Sequence, residues 1–277
     1  MEMLKSIWTA MITRDVANSA TDSPIVLIVN DYSYDLVFHT FKDTAQKDQS
    51  AGQANLYKLD VAGGIYPDSL TDSSIRIAIR GDDLWRPESF FLWGETTSGA
   101  VEPLAYNKQI KFTLSTDPNE GNFSAALPRA YGPNSPAVRA KQPTPLLFSN
   151  LLVLMTTASA HDSGTNNKLS LEVVGKNGTL YLDSVLKAKG QSNHGTAQAN
   201  FYEVQETNRF FKHEIESMTL SISGSDAWKP DNFFVFGYDD LDGVQVFTPL
   251  VNIPKWTFGS LSTDKSEGKT SLSLPLF

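Results

Sequence analysis

Hydrophobic residues in this chain recur at every second position over short runs. Ile75, Ile77 and Ile79 alternate with Arg76, Ala78 and Arg80, the period of a strand with one buried face. Unbroken apolar runs at 25–29 and 151–155 read as buried strands. Further strands are predicted over 34–40, 54–61, 90–93, 110–114 and 123–127. Turn-forming clusters such as Asn18-Ser-Ala-Thr-Asp22 separate them. No segment keeps a helical period. Many short strands at regular spacing predict an all-β chain of antiparallel β-sandwich type.

The pattern occurs twice. Gly81, Asp83, Trp85, Arg86, Pro87, Phe90, Phe91 and Gly94 recur as Gly224, Asp226, Trp228, Lys229, Pro230, Phe233, Phe234 and Gly237. The ends match as well: Leu114-Ser-Thr-Asp117 with Glu120-Gly121 returns as Leu261-Ser-Thr-Asp264 with Glu267-Gly268. The spacing between copies drifts by only a few residues, so insertions are confined to loops. Two tandem sandwich domains follow, 1–128 and 149–277, with residues 1–10 as a short lead-in. The stretch 129–148, rich in Pro with Gly and Ser, reads as a linker.

Composition narrows the function. The 277 residues are 40% hydrophobic and 19% charged, a globular balance. A formal net charge of −8 disfavours nucleic acid as a partner, because neutralising phosphates needs a basic surface. It also disfavours nonspecific adsorption to anionic membranes. The absence of cysteine excludes thiolate nucleophiles and cysteine zinc sites. No signal-peptide pattern and no apolar run of ~20 residues is visible. The chain therefore reads as soluble, either cytoplasmic, or released without an N-terminal signal, or already processed.

Gly164-Thr165 with Leu169 and Leu171, followed by Gly224-x-Asp226-x-Trp228, resembles the PLAT (lipoxygenase homology, LH2) β-sandwich. In the first copy the same positions are Thr21, Ile25, Leu27 and Gly81-x-Asp83-x-Trp85, with Ala20 where the Gly is expected. The resemblance implies a module that binds a lipid, a membrane surface or a protein partner. For some such modules it also implies calcium.

Candidate chemistry is sparse. Trp85 and Trp228 are expected in the two cores, because large aromatics favour burial. Calcium takes six to eight oxygens, several from carboxylates. Asp162, Asn166, Asp239, Asp240 and Asp242 of the second copy are the candidate ligands, if their loops converge at one edge. Trp93, Tyr106, Tyr238 and Trp256 are candidate ligand-binding aromatics, on a glycan-stacking face or in a cleft between domains. The four histidines show no metal-ligand spacing, and no nucleophile, zincin or phosphate-loop signature occurs. The expectation is a non-enzymatic recognition protein acting through sandwich-edge loops or the cleft. An enzyme acting on a small apolar substrate in the cleft, a lectin-like protein and a toxin component stay open as alternatives.

Overall fold

The structure, a computed structural model, describes residues 2–30, 35–41, 49–62, 64–140, 146–186 and 194–277. Part of the expected strand 34–40 and part of the linker, 141–145, lie outside these residues. The chain divides into two compact units. Unit 1 comprises Met1–Gln142 with Leu241–Val246, and unit 2 comprises Pro143–Asp240 with Phe247–Phe277.

The strands of the first repeat are β1 (Leu4–Thr13), β2 (Ile25–Asn30), β3 (Asp35–Thr40), β4 (Ala54–Asp60), β5 (Ile75–Ile79), β6 (Leu84–Trp85), β7 (Pro87–Thr96), β8 (Val101–Asn107), β9 (Leu114–Ser115), β10 (Ser124–Ala126) and β11 (Ala130–Tyr131), followed by a one-turn helix α1 (Pro136–Arg139). Strands β4, β1, β7 and β8 run side by side, and β10, β5, β2 and β3 form a second sheet. All pairings along β1, β2 and β7 are antiparallel. Ile75, Ile77 and Ile79 of β5 join Ile25, Leu27 and Val29 of β2 in one core, with Leu4, Ile7 and Met11 of β1 and Phe90 and Leu92 of β7. The period-two reading of 75–79 therefore selected the buried face correctly.

The second repeat follows the same plan with β12 (Leu147–Thr157), β13 (Lys168–Gly175), β14 (Leu180–Val185), β15 (Ala199–Phe211), β16 (Ile215–Ser223), β17 (Pro230–Leu241), β18 (Val244–Ile253) and β19 (Ser271–Ser273). Strands β15, β12, β17 and β18 are neighbours, and β14, β13, β16 and β19 form the second sheet. An isolated bridge between Trp228 and Leu261 stands where unit 1 has the β6–β9 pair.

One expectation is corrected. Residues 4–10 are not a lead-in. They form most of β1, which lies between β4 and β7. Leu4, Ile7, Trp8, Ala10 and Met11 are all buried, so the strand is covered on both faces and carries no alternation to betray it. The same holds for Phe90, Phe91, Leu92 and Trp93 of β7.

Both Trp of the doubled motif are fully buried. Trp85 Nε1 donates to Thr13 Oγ1 at 2.9 Å, and Trp228 Nε1 donates to Thr157 Oγ1 at 2.9 Å. Each bond joins the motif to the end of the strand that opens its repeat. It also satisfies an indole N–H that would otherwise be buried without a partner. The motif Gly is required for its backbone: Gly81 and Gly224 have φ of +127° and +109°, where side chains are strained. The motif Asp closes the turn. Asp83 Oδ1 accepts from Leu84 N–H at 2.8 Å, and Asp226 Oδ1 from Ala227 N–H at 3.0 Å.

Candidate functional site

The same scaffold holds one end of each unit. Ser19 Oγ donates to Arg14 O and Ser163 Oγ to Ala158 O. Thr21 Oγ1 accepts from Ser23 N–H, and Thr165 Oγ1 from Asn167 N–H. Ser19 O receives Arg86 N–H at 3.0 Å, and Ser163 O receives Lys229 N–H at 3.0 Å. On these shared supports the end loops of unit 2 carry two features of their own.

The first is a polar hollow of about 320 Å³ whose lining includes Asp162, Gly164, Asn166, Gly195, Thr196 and Asp226. Gly164 explains the Ala20/Gly164 divergence. A Cβ at Gly164 would lie 2.8 Å from Thr196 N and 2.9 Å from His194 O, so the 194–196 backbone approaches too closely for any side chain. Ala20 is exposed.

The second is the 254–260 loop. Trp256 N–H donates to Asp231 O at 2.7 Å, as Ile110 N–H donates to Glu88 O at 2.9 Å, which makes Ile110 and Trp256 equivalent. Ile110 is in the core of unit 1, with Phe112 partly buried against it. Trp256 is half-buried and Phe258 is 37% exposed. The two rings meet edge to face at 5.2 Å, and Trp256 Nε1 donates to Gly259 O at 2.6 Å. Trp228 at 6.5 Å and Phe233 at 6.3 Å support the indole from below. The result is an aromatic pair held in place rather than left loose. Phe258 was missed in the sequence; its position two residues after Trp256, among Thr257 and Gly259, was the available signal.

The other expected aromatics lie elsewhere. Trp93 and Tyr106 are fully buried. Trp93 stacks between Trp8 at 6.0 Å and Phe91 at 5.2 Å, and Tyr106 meets Phe91 edge-on at 5.9 Å. Tyr238 is buried and stacks on Phe247 at 4.8 Å. Burial, reinforced by Glu203, Asp240 and Asp239, pushes its hydroxyl up to about 12.

The five candidate calcium ligands do not converge. Asp162 and Asn166 share the hollow with Asp226, and Asp162 also pairs with exposed His161 at 2.7 Å. Asp239, Asp240 and Asp242 lie at the far end of β17 from Asp226, about 30 Å away at ~3.3 Å per residue. Asp239 is bound up there: its Oδ2 accepts from Arg209 Nη2 at 2.7 Å and its Oδ1 from Ser149 Oγ at 3.1 Å. Asp242 and Gly243 occupy positive-φ positions of the β17–β18 turn, the role of Asp-Gly in tight hairpins. Among the described residues no three His, Cys, Asp or Glu side chains group as metal ligands would.

Comparison with known proteins adds little. No family model and no curated protein matches the chain. Among solved structures, the alpha toxin from Clostridium absonum aligns with a TM-score of 0.36 and 21% identity, over 48% of this chain and 32% of that one. A likeness of that size assigns no activity. The all-β architecture rests on the strands themselves, and no helix among the described residues is long and apolar enough to cross a membrane.

Proposed function

We propose that the chain is a non-enzymatic recognition protein that docks on a lipid surface through the end loops of unit 2. The observation that carries this reading is the pair of half-buried Trp256 and exposed Phe258, on a loop whose unit 1 counterpart turns Ile110 into the core. An aromatic with an apolar body and a bonded N–H suits the boundary between headgroups and acyl chains. The negative net charge argues for a neutral rather than an anionic surface. The PLAT-like motifs point the same way. If calcium assists, Asp162, Asn166 and Asp226 in the adjacent hollow are the side chains that would hold it, with water and backbone carbonyls supplying the remaining oxygens.

The test is sedimentation with phosphatidylcholine vesicles, with calcium and with chelator. The full chain is expected to sediment, and Phe258→Ala to weaken partitioning roughly tenfold, from about 1.5 kcal/mol of lost apolar burial. If the chain stays in the supernatant under both conditions, the lipid reading fails and the aromatic pair is left as a surface for a protein partner.

A further inference from the structure

The two units fill one buried polar position with different chemistry. In unit 1 it is Gln49. Its backbone N–H donates to Asn55 Oδ1 at 3.2 Å, its side-chain amide donates to the Tyr57 hydroxyl at 2.8 Å, and its carbonyl receives Thr21 N–H at 3.4 Å. In unit 2 it is His194. Its Nδ1 lies 3.2 Å from Asn200 Oδ1 and 3.2 Å from the Tyr202 hydroxyl. Its carbonyl receives Thr165 N–H at 2.9 Å, and its N–H donates to Thr165 O at 3.0 Å. Thr21, Asn55 and Tyr57 correspond to Thr165, Asn200 and Tyr202. An amide that never titrates has been exchanged for an imidazole that does.

Among the described residues, the pocket around the imidazole is closed and neutral. His194 and Tyr202 are each 4% exposed and Asn200 is 1% exposed. The Trp228 ring packs 5.7 Å away. From β15 the titratable neighbour is Tyr202, kept protonated by burial. The end of β12 presents uncharged Thr157, whose hydroxyl already accepts from Trp228. The 158–167 turn carries Asp162, paired with His161, and the 224–229 turn carries Asp226 and Lys229, with Asp226 Oδ1 turned to the Ala227 N–H. Neither carboxylate contributes to holding a proton on the ring. Burial lowers its proton affinity below the ordinary 6.5, opposed only by the Asn200 bond.

We infer that proton uptake at His194 opens the 194–200 segment of unit 2 at a pH where the matching segment of unit 1 stays closed. An imidazolium left in place would be desolvated without a counter-ion. Leaving releases the paired backbone bonds of His194 to Thr165, and opening as far as residue 200 also releases Ala197 N–H from Ala158 O, Thr157 N–H from Gln198 O and the first β15–β12 pairs. The sign follows from linkage. The folded pKa lies below the unfolded one, so the stabilisation is complete above about 6.5 and is lost as pH falls below that value. Because Gly195 and Thr196 wall the hollow, the same event dismantles it. This inference does not depend on lipid docking.

Hydrogen exchange on the full chain, corrected for intrinsic rates, tests it at pH values from about 7.5 to about 5. The open fraction of a peptide covering 194–202 should rise by up to about tenfold per pH unit below about 6.5, one proton's worth, while a peptide covering 49–57 stays flat. His194→Gln, which installs the unit 1 residue, should remove the rise, and Gln49→His should transfer it to unit 1. A rise that survives in His194→Gln, or that is equal in both wild-type peptides, overturns the inference. If His194→Gln fails to fold, NMR titration of the wild-type ring decides. A midpoint below 6.5 supports the inference, and one at or above 6.5 contradicts it.

Discussion

Unit 1 and unit 2 descend from one plan and differ where it matters. Their buried indoles are anchored alike: Trp85 to Thr13 and Trp228 to Thr157, each at 2.9 Å. Their end loops do not match. Ile110 of the unit 1 core becomes half-exposed Trp256, Ala20 becomes Gly164 under a close backbone, and Gln49 becomes His194. A doubled motif thus marks what both copies need in order to fold. The divergent positions lie outside it, in the end loops, and they are what the proposed docking rests on.

The largest effects should come from breaking the shared framework one copy at a time. Trp228→Ala is expected to cost unit 2 about 3–5 kcal/mol from lost burial and the cavity left behind, and Trp85→Ala to do the same to unit 1. Denaturant unfolding followed by hydrogen exchange should show the loss confined to the mutated unit. Equal loss in both would mean that they fold as one cooperative body.

Next comes a position on which only unit 1 relies. Arg129 is buried, with Nη1 donating to Leu104 O at 2.6 Å and Nη2 to Pro67 O at 3.1 Å. Arg129→Ala leaves both carbonyls without that donor and should destabilise unit 1 by about 2–3 kcal/mol, read as a lower urea midpoint with unit 2 unchanged.

The Ala20/Gly164 pair gives a smaller and asymmetric result. Gly164→Ala should cost about 1–3 kcal/mol, because the backbone of 194–196 must move. Ala20→Gly, at an exposed site, should cost less than about 1 kcal/mol. Thermal melting of both variants checks this, and similar costs at the two positions would contradict the close-approach explanation.

Calcium should matter least. Two carboxylates and an amide make a site of millimolar affinity at best. At 1 mM the stabilisation of unit 2 is then about 0.4 kcal/mol, and Asp226→Asn should abolish it. A shift of several degrees in melting would point to a fuller ligand set than Asp162, Asn166 and Asp226 provide.

Much of the architecture was legible because strands with one wet face advertise it. The alternation at 75–79 selected the core side of β5, and the doubled Gly-x-Asp-x-Trp located both buried indoles. Strands with two buried faces gave less away. Residues 4–10 lack alternation and read as a lead-in, and Trp93 and Tyr106, candidates for a glycan-stacking face or a cleft, are core residues. The acidic residues illustrate a different obstacle. Asp162 follows β12 and Asp239 lies near the end of β17, but sequence proximity to a strand end does not say which end of the sandwich a residue occupies. Only the direction of β17 separates Asp226 from Asp239. The His194 exchange lies in register with the match of Gln53–Tyr57 to Gln198–Tyr202, but only the structure shows that both side chains are buried on equivalent Asn and Tyr partners.

The central claim is that one end of unit 2 is the docking surface, and the five Trp make it directly measurable. Trp8, Trp85, Trp93 and Trp228 are buried, and Trp256 alone is half-exposed. Intrinsic fluorescence in vesicles of brominated phosphatidylcholine therefore reports on Trp256. Partial quenching that disappears in Trp256→Phe is the expected result. No quenching, or quenching that persists in Trp256→Phe, would contradict the account.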